Sequence, residues 1–246
     1  MLGKNKNSKV SNDIKIKINY KVQLLVIAVL TIALILLGWA YIFQESNKYR
    51  NSIIETFSAN QEIIVDQVAK TVKIGLASAS GSGYTSEQAE QTVVSDIIKK
   101  AEASGSKYWF FYSSDRVIFE KSDEETRNLN GDSLLELIKY WRLQGATDME
   151  AFEEMLLQGN NGSAVFTKNS ETGVEVVSLK YFTAGGKSYF IGISTLQSYV
   201  MSSARVNEHI LYLWTFSALV SLDILVFSLL LGLSIYRNEK TSEKLN

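Results

Sequence analysis

The sequence lacks cysteine and proline altogether and has a single histidine among its 246 residues. Without cysteine it can form no disulfide, thiolate nucleophile or cysteine-ligated metal site. A disulfide-stapled secreted domain, a zinc module and a proline-rich chain are therefore excluded. Neither G-x-S-x-G nor H-E-x-x-H occurs, so the usual catalytic constellations cannot be assembled. We expect no enzyme, no metal site and no cofactor.

Charged residues are nearly absent from two long apolar runs. Val22–Phe43 has 22 residues without Asp, Glu, Lys, Arg or His, and Ile210–Tyr236 has 27 residues with Asp223 as its one charge. As helices, both are long enough to cross a bilayer, so we predict two transmembrane helices. A cleaved signal peptide is the alternative for the first run, since Gly38 and Ala40 imitate a cleavage site. Its apolar stretch exceeds the usual length of about 7 to 15 residues, which favours a membrane helix.

The net charge of −1 hides a strong asymmetry along the chain. Residues 1–21 carry net +5, whereas residues 44–209 carry net −6. Lysine bias beside membrane helices sets their orientation, so both tails are predicted to be cytoplasmic and residues 44–209 extracytoplasmic in the cell membrane. This location and the acidic charge argue against nucleic-acid binding. The predicted segments are a basic tail (1–21), a first membrane helix (22–43), an external domain (44–209), a second membrane helix (210–236) and a cytoplasmic tail (237–246).

Within the external domain, apolar spacing and turn residues predict an antiparallel sheet with helices around it. A Gly/Ser-rich stretch at Gly75–Gly83 is expected to end the first helix. Capping-box patterns at Thr85, Ser122, Ser133, Thr147 and Ser194 mark predicted helix starts. The predicted helices are Gln44 to about Ala77, Thr85 to about Ser104, Ser133–Gln144, Thr147–Gln158 and one from Ser194 straight into the second membrane helix. The predicted strands form a hairpin over Lys107–Ser122 and the three segments Ser163–Thr167, Gly173–Thr183 and Lys187–Ser194.

Two stretches carry a resemblance to a known family. YWFFYSSDRVIFEKSDEETRNLNGDSLLEL (108–137) resembles the hydrophobic strand, turn, strand and following segment of the single Cache domain, an extracellular relative of PAS domains. VSLKYFTAGGKSYFIGIS (177–194) resembles its closing hairpin. Asp115-Arg116 departs from the small residue that the family often has at the first turn. The resemblance covers residues 20–240 and implies an α+β, PAS-like, five-stranded antiparallel sheet with a long N-terminal helix, between two membrane helices.

The resemblance also implies a small ligand, an organic acid or amino acid-like metabolite, between the sheet and the segment after its second strand. The aromatic strand has Trp109 and Phe111 on one face and Tyr108, Phe110 and Tyr112 on the other. One face can line a pocket while the other packs on the long helix, and core packing remains the alternative for each ring. The candidate ligand-binding residues are Trp109, Phe111, Arg127, Tyr140, Trp141 and Lys180.

Three charged positions bear on this site. Lys180 interrupts an apolar strand, where a lysine covered on both faces needs a partner; an edge lysine that prevents strand pairing is the alternative. Arg127 lies in the inserted segment and suits bidentate capture of a carboxylate. The acidic run 123–125 is expected to cap a helical turn rather than bind a metal. His209 is expected to be an interfacial anchor, with a ligand or pH-sensing role as the alternative.

The second membrane helix has small residues on one face. Ser217, Ser221, Ser228 and Gly232 share that face at helical spacing, which permits close helix approach. Asp223 lies on the opposite side, where a carboxylate in lipid needs a partner helix or a proton. We expect a homodimeric four-helix bundle, with a tolerated polar residue as the alternative for Asp223.

Together these patterns predict a membrane-anchored sensor. Its external domain binds a small metabolite and passes the signal through the second membrane helix to a cytoplasmic output or a signalling partner. The family's usual outputs are diguanylate cyclases, chemoreceptors and histidine kinases, so the chain is interpreted as the sensory half of a longer protein or as a stand-alone sensor. The alternative is an accessory or structural membrane protein whose external domain binds a protein partner.

Overall fold

The computed structural model describes residues 19–102, 107–120, 129, 131–169 and 173–245. Its contacts divide the described chain into two compact units. One unit comprises the described parts of Met1–Glu45 and Leu211–Asn246, and the other is Ser46–Ile210. The helices are α1 (Tyr20–Gly81), α2 (Ser86–Val93), α3 (Lys99–Glu102), α4 (Leu134–Leu143), α5 (Glu150–Gln158), α6 (Gln197–Ser203) and α7 (Val206–Leu245), with a π-helical turn (Val94–Ile98) between α2 and α3. The strands are β1 (Lys107–Ser113), β2 (Val117–Glu120), β3 (Gly162–Asn169), β4 (Gly173–Ala184) and β5 (Lys187–Leu196).

The Ser46–Ile210 unit is built on one antiparallel five-stranded sheet in the order β2-β1-β5-β4-β3. The predicted α+β architecture is therefore confirmed, with its long N-terminal helix and a second long apolar helix at the C-terminal side. The aromatic strand β1 lies between β2 and β5, as its apolar residues on both faces predict. Helix α6 follows β5 directly and is followed in turn by α7.

The side-chain alternation of the strands gives the sheet two separate apolar layers. On one face, Trp109 and Phe111 of β1 pack with Val72 and Leu76 of α1. On the other face, Phe110 and Tyr112 pack beneath α4 and α5. The prediction that one face of β1 packs on the long helix is thus confirmed, and the face concerned is that of Trp109 and Phe111.

Helix α1 ends within the Gly/Ser-rich stretch Gly75–Gly83, as predicted, but a few residues later than Ala77. It continues through Gly75 to Gly81. A Cβ on Gly75 would lie 3.1 Å from Val93 Cγ2 and 3.2 Å from Ile97 Cδ1, so glycine here allows α2 and the π-helical turn to approach α1. The turn after α1 is made at residues 82–85.

Two of the predicted capping boxes are confirmed and two are wrong. Thr85 and Ser133 cap α2 and α4, each with a reciprocal bond from the residue three positions on. Thr147 instead forms a backbone bridge with Thr167, and α5 begins at Glu150 without a side-chain cap. Ser194 lies inside β5, where strand pairing on both sides occupies its backbone. The pattern at Ser122 lies outside the described residues.

The last helix is also interrupted, contrary to the prediction of a continuous helix into the membrane run. Residues 204–205 separate α6 from α7, and Arg205 has a left-handed backbone with φ of 51°. Few non-glycine residues adopt this backbone conformation, so the break between α6 and α7 can be assigned to Arg205.

The other unit contains two helices that are long and apolar enough to span a membrane. Their most apolar windows have mean hydropathies of 2.6 in α1 and 2.3 in α7, and these windows are 6% and 0% buried inside the protein. A core helix of a soluble protein would be mostly buried, so this exposure favours lipid contact.

The small-residue face of α7 packs against α1 within the same chain. The hydroxyls of Thr31 and Ser228 are 2.6 Å apart, and the Trp39 indole donates to Ser221 Oγ at 3.0 Å. A Cβ on Gly232 would lie 3.3 Å from Leu24 Cδ2. Ser217 is buried, whereas Asp223 is exposed.

Because the sequence has no cysteine, this packing can be tested with introduced pairs. We expect Thr31→Cys with Ser228→Cys to form a disulfide within one chain on mild oxidation, since the two hydroxyls are in hydrogen-bond contact. Intact mass and linked proteolytic fragments would detect it. The control pair, Thr31→Cys with Asp223→Cys, should not link within one chain. Equal yields for both pairs would contradict the observed packing.

Candidate functional site

The candidate site is a small cavity on the sheet face beneath α4 and α5, opposite α1. Its volume is about 20 Å³, close to the space of one water molecule. Aromatic rings and three charged side chains enclose it, an unusual combination for an otherwise apolar layer. We name it the polar cavity; its lining residues are Tyr108, Trp109, Phe110, Tyr112, Glu120, Trp141, Phe152, Phe166, Lys168, Glu175, Val177 and Ser194.

A hydrogen-bonded ion pair forms one part of the polar cavity. Lys168 Nζ donates to Glu120 Oε1 at 2.7 Å, and the Tyr112 hydroxyl donates to Glu120 Oε2 at 2.9 Å. The Glu120 side chain is 6% exposed and that of Lys168 27%. Burial, and then the neighbouring Glu120 carboxylate, raise the pKa of Tyr112 well above its usual value. The Tyr112 hydroxyl therefore keeps its proton and remains a donor.

This ion pair joins the two outermost strands of the sheet. Glu120 ends β2 and Lys168 lies near the end of β3, with three strands between them. Along a flat sheet, four strand spacings amount to about 19 Å, farther than the two side chains can reach. The sheet must therefore curl around the polar cavity, and the ion pair closes it on one side.

A second carboxylate, Glu175 of β4, is buried in the same cavity. The Ser194 hydroxyl of β5 donates a hydrogen bond to Glu175 Oε2. Only a few percent of either residue is exposed. Two carboxylates and one ammonium group are therefore among the described residues that line the polar cavity.

Trp141 of α4 contributes an unsatisfied donor. Its side chain is buried, and its indole N–H has no hydrogen-bond partner among the described residues. Lys168 Nζ lies 4.9 Å from the centre of the Trp141 ring, a cation–π distance. Buried donors are normally paired, so a ligand acceptor beside Trp141 would satisfy a group that the protein leaves unpaired.

Of the five predicted ligand-binding residues that the structure describes, two border the polar cavity, namely Trp109 and Trp141. The Trp109 side chain packs mainly in the layer beneath α1, as does Phe111. Tyr140 is half-buried at the margin of the layer beneath α4 and α5, away from the cavity wall. Arg127 and the acidic run 123–125 lie outside the described residues.

Lys180 lies on the opposite face of the sheet from the polar cavity. Its Nζ is 2.9 Å from Asp66 Oδ1 of α1. β4 is an interior strand, so the edge-lysine alternative is wrong, and the expected partner is Asp66. Lys70, one turn along α1, pairs with the other oxygen of Asp66 at 2.7 Å.

This pair predicts a pH-dependent contribution to stability. Hydrogen bonds from Lys70 and then Lys180 lower the pKa of Asp66 below its usual value. A lowered pKa stabilises the fold above the unfolded-state pKa of about 3.9, and this contribution is lost as pH falls through the folded-state pKa. We expect Asp66→Asn to be less stable than the native chain at pH 6, with the difference shrinking as pH falls below about 3.9. Urea unfolding across this range measures it; a difference independent of pH would contradict the assignment.

The residues that sequence reasoning missed are Glu120, Lys168, Glu175 and Ser194. Glu175 had the same signal as Lys180, a charge in an apolar strand. Odd-numbered residues of β4 face the polar cavity and even-numbered ones face α1. Lys180 therefore lies on the face of the sheet that does not contain the polar cavity. Lys168 and Glu120 could not be paired from sequence, because the sheet's curvature brings them together.

A larger open groove of about 610 Å³ lies elsewhere on the same face. Leu134, Ile138, Tyr181 and Phe190 contribute to its walls, and Asp115 is its one charged lining residue among those described. A hydrogen bond from Ser113 lowers the pKa of Asp115. Since its described lining residues include no convergent charged groups, this groove offers less specific chemistry than the polar cavity.

No protein-family model and no curated protein matches the sequence. Among solved structures, the periplasmic sensory domain of the Campylobacter jejuni chemoreceptor Tlp1 matches 45% of this chain and 36% of its own chain, at 11% sequence identity and a TM-score of 0.35. The match thus spans little more than a third of that protein. At this level of similarity it carries no information on ligand, partner or activity.

Proposed function

We propose that this chain is a membrane-anchored sensor whose Cache-like external domain binds a small metabolite in the polar cavity. The observation that carries the proposal is the convergence of Glu120, Glu175, Lys168 and the unpaired Trp141 N–H in one aromatic-walled site. Buried charges are costly to maintain, so a fold that needed only a core would favour apolar residues there. In this proposal the site binds its ligand without changing it chemically.

The charges narrow the ligand class. A simple organic acid would add a carboxylate beside Glu120 and Glu175, where Lys168 is the one cationic lining residue among those that the structure describes. An amine or amino acid-like metabolite can pair its ammonium group with a carboxylate and offer an acceptor to Trp141. Of the two ligand classes expected from sequence, the amine-bearing one fits these groups better.

The last residues of β5 provide a route for the signal. Ser194 donates to Glu175 in the polar cavity, and the next residue, Thr195, accepts a hydrogen bond of 2.9 Å from Gln61 Nε2 of α1. Gln61 is fully buried and also accepts from Ser178 Oγ at 3.0 Å. A ligand that changes the Glu175–Ser194 contact therefore acts on β5, which leads through α6 to α7. Through Thr195 it also acts on Gln61 of α1. The output is carried by a longer form of the protein or by a cytoplasmic partner.

The proposal is tested with the intact chain in lipid nanodiscs. Amines, amino acids and organic acids are screened for their effect on thermal unfolding of the external domain. A true ligand at 100 times its Kd stabilises by about 2.7 kcal/mol, a rise in Tm of about 5 to 10 °C. Glu175→Gln should reduce the shift strongly, whereas Glu154→Gln, on the exposed side of α5, should not. The absence of any shift across the screen would overturn the proposal.

The membrane helices are proposed to work in a homodimer in the bilayer. Asp223 lies on the exposed side of α7, where a carboxylate in lipid costs about 2.5 to 3.5 kcal/mol on insertion scales. A second copy at this face would bury it. Asp223→Cys alone should then cross-link two chains on oxidation, while Leu222→Cys, exposed and about 100° away around α7, should do so less; equal cross-linking would contradict the assignment.

Binding of a protein partner is the second candidate function. Leu143 and Leu157, on the helices above the polar cavity, are 85% and 77% exposed. Exposed leucines on neighbouring helices are typical of a contact surface. Failure of the metabolite screen, together with loss of a co-purifying protein in Leu143→Ser with Leu157→Ser, would favour this alternative.

A further inference from the structure

The polar cavity is already occupied by a cation that belongs to the protein. The Lys168 ammonium lies at 2.7 Å from Glu120 Oε1 and 4.9 Å from the Trp141 ring centre. A carboxylate and an aromatic face are the two groups that recognise an ammonium ion in proteins. Only about 20 Å³ of free volume remains beside it, too little for any metabolite.

We propose that Lys168 is an intramolecular competitor, and that the ligand's cationic group binds by displacing the Lys168 ammonium from Glu120 and Trp141. The inference rests on the proposed function and adds to it the chemistry of the ligand and the way in which the site opens. Lys168 can leave without being stranded, because its side chain is 27% exposed, whereas Glu120 at 6% cannot be solvated in the same way. The buried carboxylate therefore requires a cation, which either Lys168 or the ligand supplies.

Displacement would also release the two edges of the sheet. Since the Lys168–Glu120 pair joins β3 to β2 across the curled sheet, its exchange for a ligand ammonium removes the one ion pair between these strands among the described residues. The exchange opens the side of the polar cavity that the Lys168–Glu120 pair closes, at the moment the ligand enters. Ligand occupancy and opening of the sheet edges are thus linked through a single side chain.

Lys168→Ala tests the proposal, with three-carbon probes of matched size: propylammonium, propionate and β-alanine. Binding to the full chain in nanodiscs is measured by calorimetry and by the rise in Tm. Without the competing ammonium, propylammonium should bind about tenfold tighter or better than to the native chain, because a charged hydrogen bond no longer has to be broken first. Propionate should gain nothing. Adding Glu120→Gln to Lys168→Ala should remove the gain.

Lys180→Ala is the matched control, since Lys180 also pairs with a carboxylate and is similarly exposed, at 34%, but lies on the other face of the sheet. It should leave propylammonium affinity unchanged. If the Lys168→Ala chain fails to fold, Lys168→Met removes the charge while keeping the apolar stem, and a smaller gain of the same sign is expected.

Two results would overturn the inference. Equal propylammonium affinity of the native chain and both Lys168 variants would show that Lys168 does not compete. Loss of propionate or β-alanine binding in Lys168→Ala would show that Lys168 is instead the ligand's own partner. Both results differ from a failure of the proposed function. That function fails if no metabolite stabilises the native chain.

Discussion

Replacing Arg116 with methionine is expected to lower the free energy of unfolding of the Ser46–Ile210 unit by about 3 kcal/mol. The Arg116 guanidinium donates to Glu90, whose side chain is 1% exposed. Tyr189 also donates to Glu90 at 3.0 Å, and burial raises the pKa of Tyr189 to about 12, so its proton stays in place. Lys187 lies farther away, at 3.6 Å, and is half-exposed. Without Arg116, the buried carboxylate loses its principal counter-charge.

A second substitution separates charge from packing. Adding Glu90→Gln to Arg116→Met removes the stranded carboxylate and should recover a substantial part of the loss. Arg142→Met is the control, because Arg142 is 54% exposed and its pair with Glu153, at 2.7 Å, is solvated. Its cost should remain below about 1 kcal/mol. Urea unfolding measures all three variants, and equal losses for Arg116→Met and Arg142→Met would contradict the assignment.

Local patterns predicted most of the secondary structure, and long-range pairing explains where they failed. At Thr85 and Ser133 the capping box competes with no other partner, and it forms. Ser194 has the same spacing to Gln197, but its backbone pairs with β1 and β4 and its hydroxyl with Glu175. Such strand pairing supplies more hydrogen bonds than a cap, so β5 extends to Leu196.

The candidate site was less predictable from the sequence, because its position depends on which face of the sheet α1 covers. An aromatic strand and an interrupting charge could be found from sequence, and Trp141, one of the predicted residues, lines the polar cavity. The choice of face depends on which side α1 covers, which the alternation of β1 and β4 leaves open. Glu90 with Arg116, and Glu120 with Lys168, are pairs distant in sequence, joined only when the sheet has formed.

Gly192→Ala is expected to destabilise the domain by about 3 kcal/mol or more, at the upper end of overpacking effects. Gly192 lies in the middle of β5, with Phe110 as its partner on β1 and Leu179 on β4. A Cβ at this position would lie 2.0 Å from Phe110 Cζ and 2.6 Å from the backbone oxygen of Ser178. The aromatic ring can rotate away only into the packed layer beneath α5, where it meets Phe152 at 6.1 Å between ring centres. The backbone oxygen cannot move without distorting the β4–β5 pairing.

A second substitution distinguishes the contact with Phe110 from the contact with the Ser178 backbone oxygen. Phe110→Ala in the Gly192→Ala background removes the ring contact but not the clash with Ser178, so it should not restore stability, and the lost ring adds its own cost. Gly81→Ala is the control, since nothing lies within 4 Å of a Cβ at the end of α1, and it should be neutral or slightly stabilising. Unfolding in urea distinguishes these outcomes. Since Gly192 is two residues before Ser194, a Gly192→Ala chain as stable as the Gly81→Ala control would mean that β5 is not fixed tightly between Phe110 and β4. A strand that loose could not transmit a change at Glu175 to α6, so the same measurement also tests the proposed signal route.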